Sequence, residues 1–253
     1  MPLKDVSIAV TIAIVLSAIL LGATMGLSYA SAEKDNRCVQ IYFDKNDQRR
    51  AAVYAGQIQK LLFKAADDLR QVVTPIEEYR SGDLNRCVAS VYLGTEFDNQ
   101  VPRAFLLDYL SSQQHVMWLG YNIWQLGDQL EKQMGLRFVG MTRLHLRNNH
   151  PTYFKEVLFK GKTLDKTGFE QAELVATDFK KFHAVAEVRH NGTREVIPYI
   201  VQAGKRFYMA DVPFTYLQDV EKEGILGDVL SDIVSRAQLK PISSVPIYKE
   251  VGL

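Results

Sequence analysis

The chain has 253 residues, 47% of them hydrophobic and 23% charged, which excludes a disordered polypeptide and leaves room for one large core or a core with a small lobe. Its formal net charge is +1, with Lys and Arg spread along the chain rather than gathered into a basic stripe, so nothing points to nucleic acid as a partner.

Residues 1–32 stand apart from the fold. Lys4 gives a weak positive start, an apolar run from Val6 to Leu27 follows, and Ala30-Ser31-Ala32 fits a small-x-small cleavage site ahead of Glu33. This is the pattern of a signal peptide. The run is also long enough to span a bilayer, so an N-terminal anchor is the alternative, and it would be the chain's one contact with a membrane. Either way the body, residues 33–239, is expected outside the cytoplasm, periplasmic or extracellular, followed by a tail over 240–253.

Cys38–Phe43 is expected as a strand ending at Asp44, and Lys45-Asn46-Asp47 as a polar loop. Ala51, Ala55, Ile58, Leu62, Ala65 and Leu69 then mark the inner stripe of an amphipathic helix. Gln71–Ile76 reads as a second strand, at a sheet edge because Pro75 cannot donate to a ladder. Val88–Leu93 is a third, closed by Gly94-Thr95. Pro102–Leu110 carries Phe105, Leu106 and Tyr109 at helical spacing behind a first-turn proline.

The segment His115–Leu126, HVMWLGYNIWQL, organises the rest: a short apolar strand, a tight Gly120-Tyr121-Asn122 turn, then a helical period through Ile123, Leu126 and Leu130. Strands alternating with helices argue for a mostly parallel sheet, flavodoxin-like in order, with right-handed crossovers. After Gly135 the pattern becomes antiparallel. Arg137–Met141, Glu156–Lys160, Glu173–Thr177, Ala184–His190, Val196–Val201 and Phe207–Val212 are strand candidates, and Asn191-Gly192 is a hairpin turn signal. The turn is also the better reading of the Asn191-Gly192-Thr193 glycosylation sequon. Leu226, Val229, Leu230, Ile233 and Val234 form the stripe of a last helix.

Cys38 and Cys87 both occur as Arg-Cys-Val at a strand start. In an exported protein, parallel neighbouring strands would bring equivalent starting positions within bridging range, so a Cys38–Cys87 disulfide is expected, against two buried free thiols.

In an open α/β sheet, ligands lie at the carboxyl ends of the strands. The polar and aromatic residues expected there are Asp44, Glu96, Asn99, Tyr121 and Asn122, and they are the candidate ligand-binding set. A nucleophile elbow would carry Ser or Cys at its tip; here the tip is Asn122. A cap role for Asn46 or Asp47 at the helix start competes with any ligand role in that loop. His145 and His150 lie five apart without an adjacent acid, so no metal site is expected, and no cofactor motif is present. Trp118 is expected in the core, with Tyr121 the better stacking candidate.

The segments VYLGTEFDN (Val91–Asn99), GYNIWQL (Gly120–Leu126), FKGK (Phe159–Lys162) and ADVPFTY (Ala210–Tyr216), followed by a Gly227-Asp228-x-Leu-x-Asp-Ile helix, carry a resemblance. They resemble the N-terminal region of bacterial exported polysaccharide-deacetylase-like proteins, a domain of unknown function, from about Val39 to Val234. That resemblance implies a class I amidotransferase-like α/β domain standing before a deacetylase barrel. Asn122 stands where true amidotransferases carry Cys, so that activity is not implied. Only about 20 residues follow Val234, against the roughly 200 or more a barrel needs, and neither a paired Asp nor a His-x-x-x-His motif is present. The expectation is an exported, non-catalytic binding or scaffolding domain tied to cell-envelope or exopolysaccharide modification. Its partner would be polysaccharide or a separate deacetylase or export protein. The alternative is a carbohydrate-active, deacetylase-related hydrolase using Asp44 or Glu96 as acid or base.

Overall fold

A computed structural model describes residues 37–141, 154–165, 171–190, 196–211 and 220–238. The chain divides into two units, Met1–Asp35 and Asn36–Leu253, and every described residue lies in the second. The expected signal peptide, His145, His150, the expected turn at Asn191-Gly192-Thr193 and the expected tail fall outside the described residues.

The first half is built of β1 (Cys38–Phe43), helix α1 (Gln48–Ala65), β2 (Arg70–Pro75), β3 (Ala89–Gly94), α2 (Arg103–Ser111) and β4 (His115–Gly120). α3 (Asp128–Met134) and β5 (Leu136–Met141) follow. The second half supplies β6 (Phe154–Phe159), β7 (Lys162–Asp165), β8 (Ala172–Ala176), β9 (His183–His190), β10 (Val196–Ala203), β11 (Arg206–Met209) and α4 (Val220–Gln238).

Nine strands form one sheet in the order β2-β1-β3-β4-β11-β10-β9-β6-β7, and β5 and β8 pair apart from it. The order 2-1-3-4 is the doubly wound, flavodoxin-like one, with β11 taking the fifth position in parallel to β4. From β11 outward every pairing is antiparallel. The antiparallel extension is therefore continuous with the parallel half, because β11 is parallel to β4 on one side and antiparallel to β10 on the other. β2, with Pro75 at its end, is the edge strand, as the proline requires.

Strands β3 and β4 are buried along their whole length, which explains their unbroken apolar runs. Register places Thr74, Tyr42, Tyr92, Trp118 and Tyr208 side by side across five strands. Phe105 and Tyr109 of α2 close over this row, with Phe105 centroids 5.2 to 5.9 Å from Tyr42, Tyr92 and Trp118. α1 and α4 pack against each other and reach the sheet at β3. Helix α1 ends at Ala65, one turn short of the expected stripe; Leu69 is buried in the connection that leads into β2. The Cys38–Cys87 disulfide is formed, with Cα atoms 4.8 Å apart, tying the start of β1 to the residues entering β3. Such a bond fits an oxidising compartment. Among the described residues, no helix is long and apolar enough to cross a membrane.

Candidate functional site

The elbow after β4 is tighter than a plain strand-to-helix turn. Tyr121 N–H donates to the Gly94 carbonyl at 3.0 Å. A Cβ on Gly94 would sit 2.5 Å from the Tyr121 carbonyl oxygen, so only glycine lets the end of β3 approach this closely. Asn122 adopts a left-handed conformation (φ 75°, ψ 2°), which Asn tolerates better than most residues. The expected continuous helix is instead a 3-10 turn, Ile123–Leu126, then Gly127 at φ 53°, then α3. The left-handed φ at Gly127 breaks the helical path that the Ile123, Leu126, Leu130 spacing suggests.

Three members of the aromatic row turn their polar tips toward this elbow or toward the end of β1. Tyr208 Oη donates to the Gly120 carbonyl at 2.9 Å, and Tyr92 Oη donates to Asp44 Oδ1 at 2.7 Å. Trp118 Nε1 donates to the Tyr121 carbonyl at 2.7 Å. Trp118 is fully buried, in the core role expected of it.

Asp44 is the hub. Its side chain is fully buried and accepts four hydrogen bonds: from Tyr92 Oη, from Asn99 Nδ2 at 2.8 Å, and from the backbone N–H groups of Thr95 and Glu96 at 2.7 and 2.8 Å. Burial pushes its pKa up to about 6, and the hydrogen bonds pull in the opposite direction by favouring the charged form. Asn99 Nδ2 also lies 3.1 Å from Glu77 Oε1, so one amide group spans two carboxylates. Glu77 in turn accepts from the Lys45 backbone N–H at 3.1 and 3.2 Å. Asn122 Nδ2 donates to the Glu96 carbonyl at 3.0 Å and lies 3.4 Å from Tyr92 Oη. Gln125 completes the web, accepting from Val101 N–H and donating to the Asn99 carbonyl.

The five residues singled out in the sequence thus come together at one end of the parallel strands. Asp44 and Asn122 are fully buried, Tyr121 and Asn99 nearly so, and Glu96 is half-buried. Glu96 takes part through its backbone N–H and carbonyl. Sequence reasoning missed Glu77, Tyr92 and Gln125. Tyr92 reads as one more residue of a buried strand, and Glu77 arrives through the connection after β2, where no periodicity marks it. It also missed Phe97, half exposed at 51% and packed edge-on to Tyr121 at 5.6 Å and tilted against Trp124 at 5.2 Å. Trp124 continues onto Phe138 at 5.1 Å, so the elbow carries an aromatic shelf that is partly open to solvent.

Chemically, the elbow holds a carboxamide where a nucleophile would be, and the Asp44 carboxylate is enclosed by four donors. Among the described residues, no group of three His, Cys, Asp or Glu side chains is placed to hold a metal ion.

No family profile and no curated protein matches the sequence. Solved structures do share the fold. A ThuA-like protein from Bacteroides uniformis superposes with a TM-score of 0.51 at 12% identity, covering 81% of this chain and 94% of its own. The exo-beta-1,4-mannosidase Op5Man5 from Opitutaceae bacterium strain TAV5 superposes with a TM-score of 0.50 at 10% identity. The match takes in 87% of this chain but 39% of that enzyme. The glutaminase domain of Trypanosoma brucei CTPS overlaps more loosely, with a TM-score of 0.40, 7% identity and coverage of 77% and 94%, and at that score says nothing about this chain's chemistry. At these identities the likeness is one of fold alone: a mixed α/β domain similar in fold to that ThuA-like protein.

Proposed function

We propose that this chain is an exported, non-catalytic binding or scaffolding domain serving cell-envelope or exopolysaccharide modification, beside a separate deacetylase or export protein. The observation that carries the reading is the elbow itself. Asn122 at its tip is buried and donates through Nδ2 to the Glu96 carbonyl, and the Asp44 carboxylate accepts from four internal donors. The same end of the sheet presents the Phe97 and Trp124 shelf, a surface suited to stacking against a sugar ring. The segments that resemble exported polysaccharide-deacetylase-like proteins and the apolar N-terminal run of the sequence support the same setting, and the disulfide agrees with a compartment outside the cytoplasm.

The test is a glycan array with the purified protein, run beside deacetylation and hydrolysis assays. We expect saturable binding of an envelope polysaccharide, lost in Phe97→Ala and Trp124→Ala, with no turnover. A second reading, a hydrolase working through Asp44, is favoured by that group's pKa near 6, the range of a general acid. Turnover by the wild type that Asp44→Asn abolishes would establish it and overturn the first.

A further inference from the structure

Over β1 and β2, next to the Asp44 web with which it shares Glu77, lies a concavity. In a doubly wound sheet the link from β2 to β3 ordinarily carries a helix that covers the sheet face. Here it carries two 3-10 turns, Ile76–Glu78 and Asp83–Asn85, and leaves a cavity of about 600 Å³ over the β1 and β2 strands. That volume is within the range of small-molecule sites.

Its floor is the sheet face itself: Gln40 and Tyr42 of β1 beside Val72 and Thr74 of β2, in register. Gln40 is 8% exposed and Tyr42 2%. Gln40 donates to Thr74 Oγ1 at 2.8 Å, and neither its carbonyl oxygen nor the Tyr42 hydroxyl has a hydrogen-bond partner among the described residues. Burial, and then the neighbouring Asp83 carboxylate, raise the Tyr42 pKa, so its hydroxyl stays protonated and can donate. One uncommitted acceptor and one uncommitted donor therefore line the same depression, two residues apart on one strand.

The wall is rigid. Tyr79 Oη and Gly82 N–H both donate to Asp108 Oδ2 at 2.6 Å, and Arg80 N–H donates to Asp83 Oδ2 at 2.9 Å. Along it the charges are mixed: Arg86 pairs with Asp83 at 2.9 Å, and Arg80 and Glu78 are exposed. A cavity so lined disfavours an apolar helix, which would strand the polar floor, and disfavours a strongly charged ligand of either sign. It suits groups that donate and accept at the same atom, which hydroxyls do.

We infer that this cavity is a binding site for a neutral polyhydroxylated ring, one or two sugar units in size, held through Gln40, Tyr42 and the wall between Glu77 and Arg86. The site is independent of the aromatic shelf and of the reading built on it.

The experiment titrates the full-length protein with D-glucose, N-acetyl-D-glucosamine, cellobiose and chitobiose by ligand-observed NMR and calorimetry, with D-glucuronate and an amphipathic model peptide as controls. At least one neutral sugar is expected to saturate. Tyr42→Phe, which removes one hydroxyl from an otherwise unchanged ring, is expected to weaken it roughly 2- to 10-fold with the unfolding midpoint preserved. Val72→Trp, which fills the floor from a half-exposed position, is expected to abolish it, and Phe97→Ala to leave it unchanged. No saturation by any neutral sugar, equal binding in Tyr42→Phe and the wild type, or preference for the peptide or the glucuronate would overturn the inference. Loss in Phe97→Ala alone would assign the sugar to the shelf and likewise overturn it.

Discussion

Asp44 offers the sharpest test of the physical picture, because two large effects oppose each other at one carboxylate. Burial pushes its pKa from an ordinary 3.8 to about 6, despite four donors that favour the charge. The folded state then binds the proton more tightly than the unfolded state. This group's contribution to stability is fully present below the unfolded pKa and is lost as pH rises through about 6. A shift of about 2 units is worth roughly 3 kcal/mol, of which about 2 kcal/mol is in place at pH 4.5. Asp44→Asn removes the titration. It also sets a donor among four donors, a cost that does not vary with pH. Urea unfolding of both proteins from pH 7.5 to pH 4.5 isolates the group, since all other titrations cancel in the difference. We predict that the wild type gains about 2 kcal/mol on the variant over that interval. A difference independent of pH would mean the donors offset burial completely. A wild type that loses ground as pH falls would mean they outweigh it, and either result refutes the reasoning.

Two further predictions concern the frame around the site. The disulfide closes a separation of 49 residues, for which loop entropy gives about 4 kcal/mol, so Cys38→Ser with Cys87→Ser should lower the urea midpoint markedly; an unchanged midpoint would show that the two strands are held without it. Gly94→Ala brings a methyl group against the rigid Tyr121 backbone, and we expect about 1–3 kcal/mol of destabilisation by chemical denaturation, where a neutral result would mean that the elbow can shift.

The glycan-binding test at the shelf and the sugar titration at the β1–β2 cavity separate cleanly, because Phe97 lies at one and Tyr42 at the other. Binding at either without turnover is compatible with a scaffold. Turnover dependent on Asp44 is not.

Taken alone, the sequence determined the α/β class, the edge position of β2 and the elbow after Leu119, and it led to the expectation of a Cys38–Cys87 bond that the strand order then decided. These follow from short-range rules: hydrophobic period, a proline that cannot donate, and matched strand starts. It also identified the five residues that meet at the end of the parallel strands. What it left undecided was whether they face outward, because burial of a polar side chain depends on which partners the topology delivers. Asp44 is enclosed by donors that lie 48 to 55 residues further along the chain, and no local pattern announces such a meeting. The break of the helix at Gly127 and the insertion of β11 between β4 and β10 were decided in the same way. So was the cavity over β1 and β2, which exists because the connection between β2 and β3 folds as two 3-10 turns in place of a covering helix and leaves part of a sheet face bare.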